Sequence, residues 1–78
     1  MHISAQKLYT KPEVSHGRVR KAAPRVEISI GTKGVNGILM VYREKSTLSF
    51  NGTAEFTSED LIEISNQIKI AQHELSKL

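Results

Sequence analysis

From Pro24 onward the chain alternates. Val26, Ile28 and Ile30 are separated by Glu27 and Ser29, the period-two pattern of a strand with one buried face. The stretch Gly31-Thr32-Lys33-Gly34-Val35-Asn36-Gly37 follows, with three glycines and an Asn-Gly pair, and predicts a turn. A second strand is expected from Ile38 to about Glu44. Its apolar run is unbroken through Tyr42, which predicts cover on both faces, at a central position or a subunit contact. Lys45 and Ser46 break the run, and Leu48 and Phe50 open a third strand. Asn51-Gly52 then suggests a hairpin. A two-residue loop would oppose Leu48 to Glu55. A three-residue loop opposes Leu48 to Phe56 and Phe50 to Ala54, and is favoured because burying Phe56 is worth ~1.5–3 kcal/mol.

The period then changes to that of a helix. Leu61, Ile64, Ile68, Ala71, Leu75 and Leu78 recur at spacings of three and four along one stripe. No proline or glycine interrupts Ser58 to Leu78, a span of roughly 30 Å at ~1.5 Å per residue. Thr57 as N-cap with Asp60 three residues on approximates a capping box, and Phe56 with Leu61 occupy the positions of a hydrophobic staple. Glu59, Asp60 and Glu63 near the start and Lys77 near the end suit the helix dipole. Ile62 and Ile70 miss the stripe and are candidates for a protein interface, together with Tyr42.

The first 24 residues have no sustained period. Pro12, Gly17 and Pro24 interrupt them, although residues 4–10 have the material for one helical turn or a short strand. The expected organisation is thus a largely extended N-terminal arm over 1–24 and a β-β-β-α domain over 25–78. The fold class is α+β: a small antiparallel sheet of three or four strands, then one long C-terminal amphipathic helix.

Charge sharpens this division. Residues 1–25 hold Lys7, Lys11, Arg18, Arg20, Lys21 and Arg25 against Glu13 alone, a net of +5. Residues 26–78 hold five basic residues against seven acidic ones, a net of −2, which together make the overall +3. A basic arm on a mildly acidic body points to a polyanion or to an acidic protein surface. Its structural alternative is a solvated tail, or an arm lying on the acidic body of its own or a neighbouring subunit. Seventy-eight residues without cysteine give a modest core with no disulfide to staple it, so a homodimer is a reasonable expectation. The longest apolar run is far short of the ~18–20 residues a membrane span needs, so a cytoplasmic protein without membrane contact is expected.

Catalytic chemistry finds little to stand on. The carboxylates cluster at the helix start, where capping accounts for them, and Ser65 has no histidine at helical spacing. His2, His16 and His73 are scattered singly, without metal-ligand spacing. Gly31-Thr32-Lys33-Gly34 lacks the following helix of a phosphate loop, and it sits between strands where a GxxG clamp sits between helices. Turn glycines are the simpler reading, with Lys33 left as a side chain that can reach a phosphate. No enzyme, cofactor or metal is therefore expected.

Strands followed by a long terminal helix, behind a basic arm, form a layout that resembles the single-stranded-DNA-binding transcriptional coactivator domains. The likeness is nearest from Ala54 to Leu75, where a strand end leads through Thr57-Ser58-Glu59-Asp60 into the helix. Leu61 stands where that family has an aromatic residue, and the likeness is one of architecture. The functional expectation is a small non-catalytic nucleic-acid-binding or regulatory protein, with phosphate contacts from Lys7, Lys11, Arg18, Arg20, Lys21, Arg25 and Lys33. The alternative is a protein-binding adaptor or inhibitor module, of the kind phages and mobile elements use on host complexes. There Ile62, Ile70 and the strand Ile38–Tyr42 would carry the interface.

Overall fold

The computed structural model describes the backbone of residues 1–10, 13–15, 18–20 and 24–78, and the side chains of 1–4, 6–10 and 24–78. Six strands precede one helix among these residues: β1 (His2–Tyr9), β2 (Glu13–Ser15), β3 (Arg18–Arg20), β4 (Arg25–Thr32), β5 (Val35–Val41), β6 (Ser46–Phe50) and α1 (Ser58–Ser76). The main sheet has four strands in the order β1-β4-β5-β6, every neighbour antiparallel, and β2 pairs with β3 in a separate two-stranded ribbon. The protein is α+β, as its hydrophobic pattern predicts.

Alternation decides which face of the sheet is covered. Val26, Ile28 and Ile30 of β4 stand opposite Val41, Leu39 and Gly37 of β5. The next strand continues the row with Ser46, Leu48 and Phe50. α1 lies across β4 and β5 on this face, and Ile64, Ala71 and Leu75 complete a core with Val26, Ile28, Ile30, Leu39 and Val41. Burying each large aliphatic side chain contributes ~1.5–3 kcal/mol. Ile68 packs partly against the core, whereas Leu61 and Leu78, at the two ends of the stripe, overhang it and stay exposed.

Thr57 caps α1 as expected: its hydroxyl accepts from the Asp60 N–H at 3.1 Å, and the Asp60 carboxylate accepts from the Thr57 N–H at 3.0 Å. The expected staple is incomplete, because Leu61 is exposed and Phe56 packs on Phe50 instead, ring centroids 5.4 Å apart. At the other end Arg43 Nε donates to the Leu75 carbonyl and its terminal nitrogen to that of Leu78, both at 3.2 Å. That places a cation at the negative end of the helix dipole.

Three expectations need correction. The glycine-rich stretch is mostly strand: β4 runs to Thr32 and β5 begins at Val35, so Lys33-Gly34 alone make the turn, both with positive φ (46° and 80°). Asn51-Gly52 makes no hairpin. The Asn51 N–H donates to the Asn36 carbonyl and its side-chain oxygen accepts from the Asn36 N–H, which ends the β6 ladder and sends the chain across to the helix. The continuous run Ile38–Tyr42 does take a central position, with β5 between β4 and β6, but it is covered on one face only, since Leu39 and Val41 are buried while Ile38 is 45% exposed on the other.

Residues 4–10, which sequence alone leaves between a helical turn and a short strand, lie almost wholly in the edge strand β1 (His2–Tyr9). Its register on β4 runs from His2 opposite Gly31 to Tyr9 opposite Arg25, with an irregularity between Ile3 and Gln6. Gln6 Nε2 donates to Gln67 Oε1 at 2.7 Å, tying this edge to the helix.

Candidate nucleic-acid interface

Among the described residues, the helix leaves one face of the sheet open. Along β1 and β4 that face carries Lys7 and Tyr9 opposite Glu27 and Arg25. The Arg25 guanidinium carbon lies 4.5 Å from the Tyr9 ring centroid and the Lys7 ammonium 5.1 Å from it, so two cations flank one aromatic ring. Arg25 also pairs with Glu27 at 3.4 Å, and their side chains are only 15% and 23% exposed. Arg25 is therefore engaged within the sheet. Lys7 is exposed and stands nearer to solvent.

Chain connectivity places the β2–β3 ribbon at the Tyr9–Arg25 end of β1 and β4, because residues 10–24 link those two ends. In the ribbon Glu13 stands opposite Arg20, Val14 opposite Val19, and Ser15 opposite Arg18. Arg18 and Arg20 are thus strand residues of the two-stranded element that the chain forms between Tyr9 and Arg25. Lys11 and Lys21 lie outside the described residues.

The other candidates are dispersed. Lys33 is at the opposite end of the sheet, in the β4–β5 turn, and its ammonium meets Glu55 at 3.3 Å with both side chains mostly in solvent. An exposed pair of this kind is worth little and leaves the lysine reachable. Tyr42 is half-buried at the end of β5. Its carbonyl accepts from Gln72 Nε2 at 3.4 Å, and Lys45 Nζ lies 5.5 Å from its ring centroid. Ile62 and Ile70 are 61% and 51% exposed on α1. They sit ~12 Å apart along the helix axis and about 80° apart around it, so they form no single patch.

The sequence does not single out the remainder of the open face. There a groove of about 660 Å³ is lined by His2, Ser4, Ser29, Asn36, Ile38 and Ser49 among others. These are small or uncharged residues brought together by register across four strands, and no local motif marks them. Among the described residues no cluster of three His, Asp or Glu side chains could hold a metal ion, and no helix is long and apolar enough to cross a membrane. Comparison with family models, with curated proteins and with solved structures finds no match.

Proposed function

We propose that this is a small, non-catalytic nucleic-acid-binding or regulatory protein of the cytoplasm that grips phosphates with its basic N-terminal segment. The observation that carries the reading is the placement of charge. Arg18 and Arg20 belong to a two-stranded ribbon, Lys7 and Tyr9 stand on the open sheet face at its root, and the rest of the chain is net acidic. Two-stranded ribbons fit a nucleic-acid groove, and an aromatic ring between cations suits both stacking and phosphate contact. Arg25 takes the lesser part, because Glu27 and Tyr9 already hold it.

A mobility-shift titration with single- and double-stranded DNA and RNA over a salt series tests this. Lys7, Lys11, Arg18, Arg20 and Lys21 give about five phosphate contacts and a log–log salt slope near −3.5 to −4.5. The chain is used whole, because removing residues 1–23 would also remove β1. Replacing Arg18, Arg20 and Lys21 by Gln is expected to flatten the slope by about 2–3. No shift with any of the four nucleic acids at about 50 mM salt removes the proposal and leaves the protein-binding alternative.

A further inference from the structure

The two edges of the main sheet are built differently. β1 carries Lys7 and an irregular register between Ile3 and Gln6, two devices that discourage another strand from adding to an edge. β6 has neither: Ser46-Thr47-Leu48-Ser49-Phe50 is uncharged, holds no proline, and pairs residue for residue with β5 without a bulge. Among the described residues no strand lies on its other side.

The direction of its backbone groups follows from two bonds. The Tyr42 N–H donates to the Lys45 carbonyl and the Asn51 N–H to the Asn36 carbonyl, so Lys45 and Asn51 face β5. Alternation in an antiparallel ladder then assigns Thr47 and Ser49 to β5 and turns the N–H and C=O of Ser46, Leu48 and Phe50 outward.

We infer that β6 is a self-complementary dimer edge, pairing antiparallel with β6 of a second copy about a two-fold axis at Leu48. In that register the two Leu48 residues exchange a mutual pair of N–H···O=C bonds, and Ser46 does the same with Phe50 of the other copy. Every outward backbone group of the strand is satisfied. The two Leu48 side chains, each 39% exposed in the single chain, come to lie directly opposite one another on the helix-bearing face.

The helix is compatible with this arrangement. Gln67 reaches β1 while Gln72, about 140° further round, reaches Tyr42 at the end of β5. Leu61, three turns before Gln72 on the same flank and 54% exposed, therefore overhangs the β6 side with Leu48. Since α1 lies over β4 and β5, the two helices would stand about four strand spacings apart. That is roughly 19 Å, clear of the 8–10 Å of direct helix contact. The continuous sheet would have eight strands, with both open faces on one side. An edge of five residues with two leucines is a small interface, so micromolar association is expected. None of this depends on nucleic-acid binding.

Light scattering across a concentration series up to about 200 µM should show the 8.7 kDa chain passing to twice that mass. Leu48→Lys sets like charges opposite one another and is expected to abolish the dimer with an unchanged circular dichroism spectrum. The chain has no cysteine, so single replacements report contacts directly. Leu48→Cys should cross-link under mild oxidation, and Ile70→Cys, on the β1 flank, should not. A chain that stays monomeric at the highest concentration overturns the inference, and so does a dimer that survives Leu48→Lys. Cross-linking through Ile70→Cys but not Leu48→Cys would do the same.

Discussion

Gly37 shows how a single position ties two elements together. A Cβ there would lie 2.3 Å from Phe50 Cδ1 and 2.6 Å from the Ser49 carbonyl, and the backbone atom cannot swing away as a side chain can. Gly37→Ala is therefore expected to destabilise the fold by about 1–3 kcal/mol, read as a lower urea midpoint with an unchanged slope. Gly31→Ala, whose Cβ would meet only the Asn36 side-chain oxygen at 3.3 Å, serves as the mild comparison. Sequence reading assigns Gly37 to a turn because an Asn-Gly pair ordinarily means one. The conflict is resolved by packing: the glycine is needed to admit Phe50, whereas the reversal falls to Lys33, a residue poorly suited to φ of 46°. A local rule cannot reveal that a glycine sits beneath an aromatic ring thirteen residues away.

Elements were legible wherever one period ran without interruption. The strand around Val26–Ile30 and the helix with its Thr57–Asp60 cap emerge from spacing alone, since each buries its stripe on the other. β1 was not legible, because its helix-side residues Ile3, Gln6 and Leu8 skip one step at the irregularity and Gln6 is polar. The cap carries a pH dependence. Hydrogen bonding from the Thr57 backbone holds the Asp60 carboxyl below the ordinary aspartate range, against an opposing effect of desolvation, with the Thr57 hydroxyl and the charges of the Met1 amino group and Lys33 adding to the lowering. A carboxyl whose pKa is lower folded than unfolded stabilises the fold above the unfolded value, and that contribution is lost as pH falls through the folded one. Acid titration of the helix signal should accordingly show a loss below about pH 4 that is missing in Asp60→Asn. Thr57→Ala should cost about 1 kcal/mol at neutral pH, because it removes the reciprocal bond. An Asp60→Asn chain with the same acid profile as the parent would show that the carboxylate plays no part in capping.

At the scale of the whole molecule, the charge division was visible in the sequence and its geometry was not. Six cations in the first 25 residues announce a basic segment. Only pairing reveals that this segment is an edge strand plus a ribbon, with Arg25 committed to Glu27 and Tyr9. If β6 joins two copies, each assembly presents two ribbons, and a nucleic acid long enough to reach both binds the second at high effective concentration. Such linkage commonly raises apparent affinity by 10²–10⁴, while a strand spanning one ribbon gains nothing. Leu48→Lys separates the two cases, since it breaks the dimer and leaves each ribbon intact. On a short oligonucleotide its affinity should equal or slightly exceed that of the parent, because the substitution adds a positive charge. On a long one it should fall by at least about tenfold despite that charge. Fluorescence anisotropy with matched short and long strands at one salt concentration measures both. An equal response at the two lengths would mean that the ribbons act singly, whatever the oligomeric state.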